Sequence, residues 1–456
     1  MEIKLPSAVG WKPRLYQIPV WQHFFPKSEK KRAVVIGHRR WGKDLLAVNL
    51  CGCKSQERIG TYWHVLPTYK QGRNIVWNGI DGNGRPFLSY LHPSLVRDMH
   101  TNDMRVHFHN GSVFQVVGSD DIDRLVGTNP VGVVLSEFSL HDPKVLDYLR
   151  PILRENKGWL LIITTIRGKN HGYRMKRTAM KRMLEDSNWL HLDQTVLDTH
   201  TDDGERVVTE KDIESDRLEG MSEQLIRQEY YNDPEAPMQG AYYSAEMAKA
   251  STEGRIGTVL YDPKLPVDTH WDLGVGDATA IVFTQTHRME IRVIDSYENS
   301  GEGLAHYAKH IKHKEYHYGK HYAPWDIMVR EFTSGKSRFE VAKEMGIPFR
   351  VTQKHSVEDG IEQVRNVLGR CWFNDGKCER LIEALRSYRK EEAAVKLGYT
   401  GAEGNSPLYK DGPLHDWTSH FADAFRVMAW NVKKASMDDE PMPLPDRTTD
   451  DHYQWV

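Results

Sequence analysis

Short apolar runs alternate with stretches of helical spacing through the first half of the 456-residue chain. Four runs have the character of buried strands, namely RAVVIG, GTYWHVLPT, VGVVLSEF and GWLLIITTI. Two stretches with helical spacing follow the first two runs, namely DLLAVNLCGCK and YKQGRNIVWNGI. Near-continuous apolar strands separated by helices predict an α/β fold with a parallel sheet covered on both faces.

A hairpin and a polar region are added to this pattern. In MRVHFHNGSVFQVV, alternating apolar and polar residues flank Asn110-Gly111, which is a strong signal for a β-hairpin. A polar stretch follows from about residue 168 to residue 233, and we expect it to be rich in helices. The residues after it, NDPEAP at 232–237, are typical of a linker.

The second half begins with a different pattern. VDTHWDLGVGDATAIVFTQT and then MEIRVIDSYEN predict a pair of antiparallel strands, followed by helical stretches and one more strand that ends near 323–326. The last residues are acidic and contain proline, which favours a mobile tail. We therefore predict four segments: a first domain over 1–233 with a helical subdomain at about 168–233, a linker over 234–262, a second domain over 263–435 and an acidic tail over 436–456.

Composition narrows the class of protein. Hydrophobic residues make up 39% and charged residues 27% of the chain, as in soluble globular proteins. The net charge of −2 and the pI of about 6.9 predict neither a nucleic-acid nor a membrane partner, so any basic patch has to be local. The N-terminus lacks the apolar run of a signal peptide, and GWLLIITTI is too short to span a bilayer, so we expect no membrane association.

The cysteines do not form a recognisable metal or disulfide pattern. The chain has four, at Cys51, Cys53, Cys371 and Cys378. Neither pair has a second CxxC or a suitable set of histidines beside it. We therefore expect free thiols in a reducing compartment.

The strongest chemical signal is GHRRWGKD, between the first strand and its helix. Gly37, Gly42 and Lys43 have the spacing of the phosphate-binding loop G-x-x-x-x-G-K-[ST], but Asp44 occupies the position of the hydroxyl residue that holds magnesium. Such glycines let backbone N–H groups surround phosphates, the helix N-terminus adds positive potential, and the lysine reaches the terminal phosphates. Arg39 and Arg40, within the loop, are further candidates for nucleotide binding.

Three features outside the loop support a nucleotide site. Tyr16-Gln17 lies upstream, where many helicase-like ATPases have a glutamine that reads adenine. VGVVLSEF ends in Ser136-Glu137, the usual place for a metal ligand followed by a catalytic glutamate. A later strand ends in Thr164-Thr165, where hydrolysis could be sensed.

The carboxylate and the hydroxyl of the usual magnesium site have exchanged positions. Asp44 is on the loop and Ser136 on the strand, so the number of oxygen ligands and the charge around a hard cation are preserved. We therefore expect a rewired but intact site for ATP with Mg²⁺, in which Glu137 polarises the attacking water. In the alternative interpretation, Asp44 only caps its helix or faces solvent. Trp41 either lines the adenine pocket or anchors the loop, and we expect the second.

Three acidic residues of the second half are candidate metal ligands. Asp272 and Asp326 follow apolar residues of apparent strands, and Asp423 lies in the predicted helix SHFADAFRVMAW. A buried carboxylate is costly unless it is paired or metal-bound. Three such groups could hold two divalent ions about 4 Å apart, as in phosphodiester hydrolysis. Turn formation, strand-end capping and an ion pair with Arg426 are the alternatives. The rival acids are Asp277, Asp359 and Asp416, of which the last could cap the helix.

These motifs together resemble the large subunit of the tailed-phage terminases. In the first half the resemblance depends on HRRWGKD, PTYKQGRNIVW, RLVGTNPVGVVLSEF and TTIRGKNHGY. In the second half it depends on WDLGVGDATA, WDIMVREFTSGKSRFEVAKEMGIPFRV, VEDGIEQVRNVL and PLHDWTSHFADAFRVMAW. It covers about residues 11–431. Asp44 and Ser136 depart from the family pattern, and so does Ile166, which replaces the proline of the S-T-P-x-G coupling segment.

The resemblance implies a fold and an activity. It implies an ASCE-type P-loop ATPase domain followed by an RNase H-like nuclease domain, with Asp272, Asp326 and Asp423 as ligands of two Mg²⁺ or Mn²⁺ ions. It also implies ATP-driven movement of double-stranded viral DNA into a procapsid, and cleavage of the DNA concatemer. The alternatives are a helicase-like repair nuclease and a non-catalytic DNA-binding scaffold.

The resemblance also implies partners. These are double-stranded DNA, a small terminase subunit and the portal protein of the procapsid, with a ring of five subunits on the portal and a monomer as the alternative state in solution. The place of action would be the host cytoplasm, with transient docking on the procapsid. In such rings an arginine of one subunit completes the ATP site of the next, and Arg58 and Arg124 are candidates.

Two clusters of cationic residues offer further candidates. KNHGYRMKRTAMKR, at 169–182, is placed to contact DNA phosphates, although a solvated helix face has the same composition. His306, His310, His313 and His317 would share a helical face and suggest metal ligands. Because lysines interleave with them and repel a cation, we expect a surface helix beside the second sheet instead.

Overall fold

The computed structural model of the chain describes residues 4–25, 30–120, 127–236, 238, 240–274, 278–329, 335–392 and 409–432. The chain forms two units, one made mainly of Met1–Gln239 and the other mainly of Gly240–Glu391 and Lys410–Val456. The predicted acidic tail lies outside the described residues, as do Arg124 and Asp277.

The first unit is built on one eight-stranded sheet. Its strands are β1 (Arg32–Gly37), β2 (Thr61–Leu66), β3 (Val96–His100), β4 (Arg105–Phe108), β5 (Val113–Gly118), β6 (Pro130–Ser136), β7 (Trp159–Thr164) and β8 (Trp189–Gln194). Their order is β3-β4-β5-β2-β6-β7-β1-β8. From β5 to β8 every pair is parallel, so the predicted parallel sheet is confirmed. β7 lies between β1 and β6, which is the strand order of ASCE-type P-loop ATPases.

Helices cover both faces of this sheet. They are α1 (Ile18–Phe24), α2 (Lys43–Glu57), α3 (Tyr69–Gly72), α4 (Val145–Glu155), α5 (His171–Glu185), α6 (Glu210–Leu218) and α7 (Glu223–Tyr231). Alternate side chains of β1 point to opposite faces: Ala33 and Val35 share a core cluster with α2, and Val34 and Ile36 share another with α4. This is the alternation expected of a central strand.

Three elements of the first unit differ from the sequence prediction or refine it. β8 belongs to the main sheet beside β1, although it lies inside the stretch predicted as a helical subdomain. β3 is an additional strand that pairs antiparallel with β4 of the predicted hairpin. The hairpin itself is confirmed: β4 and β5 pair antiparallel across the Asn110-Gly111 turn, and Gly111 has a φ of 90°.

The second unit is built on a seven-stranded sheet. Its strands are β9 (Ile256–Gly257), β10 (Val267–Asp272), β11 (Thr279–His287), β12 (Glu290–Asn299), β13 (Tyr318–Ala323), β14 (Phe349–Val351) and β15 (Cys371–Asn374). Their order is β14-β13-β10-β11-β12-β15-β9. β10, β11 and β12 form an antiparallel meander, and β13 and β14 continue the sheet parallel to β10. This topology is RNase H-like. A separate two-stranded sheet contains β16 (Lys390–Glu392) and β17 (Tyr409–Pro413).

Helices also cover both faces of the second sheet. They are α8 (Ser244–Thr252), α9 (Leu304–His313), α10 (Arg338–Glu344), α11 (Val357–Leu368), α12 (Glu379–Ser387) and α13 (Ser419–Asn431). Ala280 and Val282 of β11 pack in a core cluster with α8, α11, α12 and α13. Ile281 and Phe283 of the same strand pack with α9 and α10 on the other face. The predicted inward packing of Phe421, Ala424, Phe425 and Met428 on α13 is confirmed.

Two predictions about the second half were wrong. The expected pair of strands is a three-stranded meander, because the first run is interrupted between β10 and β11. The stretch 234–262, predicted as a linker, contains α8 and β9; Met247 of α8 is fully buried in the core. Its proline-rich start obscured the apolar residues that follow. Among the described residues, no helix has the length and apolar character needed to cross a membrane.

The packing of β6 on β7 gives a stability prediction. A Cβ atom added to Gly132 of β6 would lie 2.4 Å from the ring of Trp159, which is itself packed in the core. Gly132→Ala should therefore destabilise the first unit by about 1–3 kcal/mol, the usual cost of overpacking. Native-state hydrogen exchange of peptides covering β1, β6 and β7 measures this change.

Gly82→Ala is the matched control, since a Cβ atom there meets nothing within 4 Å. It should change the stability by no more than about 0.5 kcal/mol. Equal protection factors for the two variants would contradict the close packing of Gly132 against Trp159.

Candidate nucleotide-binding and metal-binding sites

The loop between β1 and α2 has the geometry that its glycines predict. Gly42 has a φ of 87°, in the left-handed region that favours glycine. A Cβ atom on Gly37 would lie 2.8 Å from the ring of Trp41, so only glycine allows this approach. Trp41 is fully buried, and its Nε1 donates to Gln194 Oε1 at 2.7 Å. The tryptophan therefore anchors the loop, as expected.

Tyr16 and Gln17 hold the same loop from the other side. The Tyr16 hydroxyl and the Gln17 Nε2 each donate to the carbonyl oxygen of Trp41 at 3.0 Å. Arg14 donates its backbone N–H to Gln17 Oε1 at 3.1 Å. Both candidates thus lie at the loop, and recognition of adenine by Gln17 stays a prediction.

Lys43 lies across the mouth of the loop. Its Nζ donates to Gly37 O at 2.8 Å, to His38 O at 3.3 Å and to Thr165 Oγ1 at 3.1 Å. The ammonium group is therefore held by neutral oxygens, which a more strongly attracting phosphate could replace.

The two exchanged residues are in direct contact. Ser136 Oγ donates to Asp44 Oδ1 at 2.6 Å, so the strand hydroxyl and the loop carboxylate meet at one point. Burial raises the pKa of the Asp44 carboxyl, but hydrogen bonds from His64 and Ser136 and the charge of Lys43 outweigh it, and the pKa lies below its ordinary value. The N-cap of α2 is Gly42, and among the described residues the hydrogen bonds of the Asp44 carboxylate come from His64 and Ser136. The geometry therefore favours the rewired site over a helix cap.

His64 was not predicted. It is fully buried in the middle of β2, and its Nε2 lies 3.1 Å from Asp44 Oδ1. Its Nδ1 has no hydrogen-bond partner in the described part of the chain. The available signal was a polar residue inside the apolar run GTYWHVLPT, since a buried polar group requires a partner.

Glu137 has an unusual backbone and a carboxylate oxygen without a partner. Its φ of 56° is rare for a residue other than glycine and is typical of functional positions. Its Oε2 is buried and accepts no hydrogen bond from the described residues; Arg167 Nη2 lies 4.0 Å from it. Burial raises the pKa of Glu137, and the charges of Lys43 and Arg167 oppose this shift only in part.

Arg167 and Glu229 complete the surroundings of Glu137, and neither was predicted. Arg167 Nη1 lies 3.3 Å from Glu229 Oε1, so one guanidinium group is shared by two acidic side chains. Burial raises the pKa of Glu229, but Arg167 outweighs it and the net shift is downward. Arg167 is within TTIRGKNHGY, but nothing in the sequence links it to Glu229, 62 positions further along.

Thr164 and Thr165 connect the loop to the turn after Glu137. Thr165 Oγ1 donates to Gly37 O at 3.1 Å and accepts from Lys43. Thr164 Oγ1 accepts the backbone N–H of Ser139 at 3.1 Å, and Ser139 Oγ donates to Thr165 O at 2.9 Å. The pair therefore contacts both the loop and the turn after Glu137, and a role in sensing hydrolysis stays a prediction.

The same turn also carries the start of α5. Asn170 Nδ2 donates to Ser139 O at 2.9 Å, and His171 Nε2 lies 2.7 Å from Phe138 O. A Cβ atom on Gly172 would lie 2.3 Å from Ser139 Oγ, so α5 begins in close contact with this turn. The basic helix is thereby attached to the residues next to Glu137.

The candidate arginines Arg39, Arg40 and Arg58 lie at two places in the first unit. The side chains of Arg39 and Arg40 are exposed. Arg58 follows α2 and donates to Asn156 O at 2.8 Å. Because α2 has 15 residues, this position is about 22 Å from the loop of the same chain. A role of Arg58 in a neighbouring subunit stays a prediction.

In the second unit, Asp272, Asp326 and Asp423 lie on the side of the sheet where β10 and β13 have their carboxyl ends. Asp272 is the last residue of β10, and Asp326 lies in the helical turn Trp325–Met328 after β13, not at the strand end itself. β10 and β13 are parallel neighbours, so their carboxyl ends meet. Asp423 is on α13, whose residues pack beneath the same sheet.

The electrostatics of these acids indicate that they are close together. Burial raises the pKa of Asp423 to about 6, with a further contribution from the charge of Asp272 and opposition from Arg426. Burial also raises the pKa of Asp272, to which the charge of Asp326 adds. Carboxylates that repel one another in a partly buried place fit a site for hard divalent cations, which prefer oxygen ligands.

His420 and Arg426 hold two of the acids, and only the second was anticipated from sequence. His420 Nδ1 lies 3.6 Å from Asp272 Oδ2, and Arg426 Nη2 lies 2.7 Å from Asp423 Oδ1. His420, Asp423 and Arg426 are spaced by three on α13, so they share a helix face. This spacing was the available signal. The ion pair between Asp423 and Arg426, predicted as an alternative to the metal site, is present, and metal binding by Asp423 stays a prediction.

The two rival acids among the described residues, Asp359 and Asp416, lie at the starts of helices. Asp359 is exposed in the first turn of α11 and donates its backbone N–H to the N-cap Ser356. Asp416 Oδ1 accepts the backbone N–H of Thr418 at 2.9 Å, just before α13, and its Oδ2 lies 3.2 Å from Arg389. Asp416 therefore holds the N-cap residue Thr418 and does not cap α13 in the predicted way, since that helix has no side-chain capping hydrogen bond at its N-cap.

The four histidines of the histidine-rich segment do not share one helical face, and two of them contact Tyr297. α9 ends at His313, so His317 does not continue its face. His306 Nε2 lies 2.8 Å from the Tyr297 hydroxyl, and the ring of His310 stacks on Tyr297 at 3.6 Å. The predicted surface helix beside the second sheet is confirmed.

The pKa of Asp423 gives a prediction about metal binding. Because its raised pKa is about 6, a proton competes with the cation below that pH and not above it. The apparent affinity for Mn²⁺ should be constant above about pH 7 and fall by about tenfold per unit below about pH 6. Calorimetric titration of the full chain with Mn²⁺ measures it, and Asp423→Asn should show weak binding at every pH. An affinity of the unaltered protein that is the same at about pH 5 and about pH 8 would contradict the assignment.

The known proteins that are similar to this chain include large terminase subunits. No protein-family profile matches the chain. The large terminase subunit of Escherichia phage T5 is 24% identical over 410 residues, which cover 87% of this chain and 85% of that protein. Among solved structures, the large terminase of a thermophilic bacteriophage in complex with ADP matches 92% of this chain and 99% of its own, with 15% identity and a TM-score of 0.39. The ATPase domain of the large terminase of Thermus phage P74-26 matches 51% of this chain and 98% of its own, with 20% identity and a TM-score of 0.40. The similarity to terminase large subunits inferred from the sequence motifs is thus confirmed by the phage T5 protein.

Proposed function

We propose that this chain is the large subunit of a phage terminase, an ATP-driven translocase of double-stranded DNA joined to a metal-dependent endodeoxyribonuclease. Its work would be to move viral DNA into a procapsid and to cut the DNA concatemer. The observation that carries the proposal is the contact between Asp44 and Ser136 at 2.6 Å, beside a phosphate-type loop, in a chain that also gathers three acids on an RNase H-like sheet. The similarity to the phage T5 large subunit supports it.

In the first unit, each residue has a defined task toward ATP. When bound, Mg²⁺ would neutralise charge on the phosphate oxygens. Asp44 and Ser136 would hold it with one carboxylate and one hydroxyl oxygen. Lys43 would exchange the carbonyl oxygens of Gly37 and His38 for the terminal phosphates. Glu137, with a buried oxygen that accepts no hydrogen bond from the described residues, would orient the attacking water and accept its proton.

Movement would pass from the hydrolysis site to α5. Thr165 contacts Lys43, Ser139 links the two threonines to the turn after Glu137, and Asn170 fixes the start of α5 to that turn. A shift of Glu137 or Lys43 on hydrolysis would therefore displace the helix. The chain of contacts is short and consists of hydrogen bonds from Lys43 to Asn170.

The DNA-contacting surface is proposed to be the exposed part of α5. Arg177, Lys181 and Arg182 are exposed there. Lys176 pairs closely with Asp193 and Lys169 with Glu235, so these two are less available to phosphates than Lys181 and Arg182, which lie 3.9 and 3.8 Å from Glu185. The gripping surface is therefore smaller than the basic run in the sequence. Its binding would be electrostatic and would weaken as salt rises.

In the second unit, three acids would hold the metal ions of the nuclease. When bound, two Mg²⁺ or Mn²⁺ ions would activate a water and stabilise the leaving oxygen. Asp272, Asp326 and Asp423 would supply the oxygen ligands. His420 and Arg426 would keep Asp272 and Asp423 in place, since each lies beside one carboxylate.

The partners follow from the proposed activity. They are double-stranded DNA, a small terminase subunit and the portal protein of a procapsid, with five copies of this chain forming a ring on the portal in the host cytoplasm. A repair nuclease would be recognised by strand separation, which this proposal does not include. A non-catalytic scaffold was suggested only by the departures at Asp44 and Ser136, and their mutual hydrogen bond gives no support to a disabled loop.

The exchange of carboxylate and hydroxyl can be tested by reversing it. Asp44→Ala should lower ATP turnover at least about a hundredfold, because one charged ligand of Mg²⁺ is lost. The double variant Asp44→Ser, Ser136→Asp restores one carboxylate and one hydroxyl and should recover part of the activity. Radiolabelled ATP hydrolysis, with and without DNA, is the measurement. A fully active Asp44→Ala variant would end the hypothesis.

The nuclease is tested independently of the ATPase. Asp272→Ala should abolish plasmid degradation in Mn²⁺ while ATP turnover is unchanged, because the acid lies in the second unit. Asp359→Ala is the matched control, since it removes an exposed acid of the same unit, and it should keep both activities. Loss of ATP turnover together with nuclease activity in Asp272→Ala would contradict the assignment of one activity to each unit.

A further inference from the structure

We propose that the β3–β4 hairpin of the first unit holds a third kind of site, one for a transition-metal cation of the Zn²⁺ class. Its ligands would be Asp98, His100 and His107. This site is distinct from the candidate ATP site and from the acids of the second unit, and none of its residues was selected from the sequence.

Strand register brings the three side chains to one face. Asp98 and His100 are two residues apart on β3, so they point the same way. Asp98 is the cross-strand neighbour of His107 on β4, and such neighbours also share a face. Two strands therefore present one carboxylate and two imidazoles to the same volume.

The distances suit a small cation. His107 Nδ1 lies 2.5 Å from Asp98 Oδ1, and His100 Nε2 lies 3.0 Å from the same oxygen. The three candidate ligand atoms all fall within 4.8 Å of one another. Bonds of about 2.0–2.1 Å in a tetrahedral zinc site place ligand atoms about 3.3 Å apart. Small side-chain rotations would therefore open this cluster around an ion.

A neighbouring arginine orients the Asp98 carboxylate, and the ligand side chains are exposed enough for an ion to reach them. Arg97 Nε donates to Asp98 Oδ2 at 2.7 Å, which fixes the carboxylate and leaves Oδ1 directed at the histidines. A partner on the outer oxygen is common at metal-binding carboxylates. The side chains of His100 and Asp98 are 57% and 38% exposed, so an ion and a water in a fourth position have access.

The donor set identifies the class of metal. Two imidazole nitrogens and one carboxylate oxygen suit Zn²⁺, Co²⁺, Ni²⁺ or Cu²⁺, whereas Mg²⁺ prefers oxygen ligands. The acids of the second unit are all oxygen donors, so the two sites have different preferences. A bound ion would join β3, the edge strand of the sheet, to β4. An edge strand lacks a partner on one side, and a cross-strand metal bond would restrain it.

The test uses Co²⁺ on the full-length protein in excess Mg²⁺, which occupies the oxygen-only sites. We expect one equivalent of Co²⁺ to bind with the intense visible absorption of tetrahedral cobalt, and one equivalent of Zn²⁺ to abolish that absorption. His100→Ala and His107→Ala should each lose the signal. His109→Ala removes an exposed histidine directly after β4 and should retain it.

Binding of Mg-ATP, followed in all variants, reports that the first unit is folded. If His107→Ala loses ATP binding as well, His100→Ala decides, because its side chain is more than half exposed. The proposal is overturned if the unaltered protein gives no tetrahedral signal in excess Mg²⁺. It is equally overturned if the signal persists in His100→Ala or disappears in His109→Ala.

Discussion

A carboxylate that is largely withdrawn from water needs a donor or a cation beside it, and this constraint connects the main features of the chain. At Asp44 it is satisfied by Ser136 and His64, which come from two different strands of the first sheet. The helix that follows the phosphate-type loop is thereby tied to β6 and β2. The same contact places one hydroxyl and one carboxylate oxygen next to Lys43, where the usual loop has them in reversed order.

The two candidate sites satisfy this constraint in opposite ways. Hydrogen bonds and positive charge hold the pKa of Asp44 below its ordinary value, so its carboxylate is ionised and satisfied before a cation arrives. Burial and mutual repulsion raise the pKa of Asp423 to about 6, despite Arg426. The second site therefore gains more from binding a cation. This difference fits one site that cycles with its nucleotide and another that depends on free divalent ions.

Sequence alone identified the elements whose signal is local. The loop between β1 and α2, the hairpin at Asn110-Gly111 and the inward face of α13 were all predicted, because spacing and turn residues determine them. β8 was missed because its residues, WLHLDQ, are only half-buried at the sheet edge and mix polar with apolar side chains. The start of the second unit was missed because a proline-rich stretch precedes α8.

The sequence likewise predicted some residues of the candidate sites and missed others. Acidic and hydroxyl residues at strand ends were found, since parallel strands bring such ends together. Arg167 and Glu229 were missed because their roles depend on partners far apart in the chain, and no local pattern links them. His64 gave a local signal as a polar residue in an apolar strand, but its partner Asp44 lies in another element. Asp98, His100 and His107 were missed for a related reason: their common face depends on the register between β3 and β4, and β3 itself was not predicted.

Both candidate sites depend on the same proposed property, which is that the exchanged pair and the three acids are cation ligands. A crystal structure with Mn²⁺ and a non-hydrolysable ATP analogue, recorded with anomalous diffraction, tests it most directly. We expect one manganese peak between the triphosphate and the oxygens of Asp44 and Ser136, and further manganese among Asp272, Asp326 and Asp423. Nucleotide bound with its metal ion away from Asp44, or acids of the second unit without manganese, would contradict it.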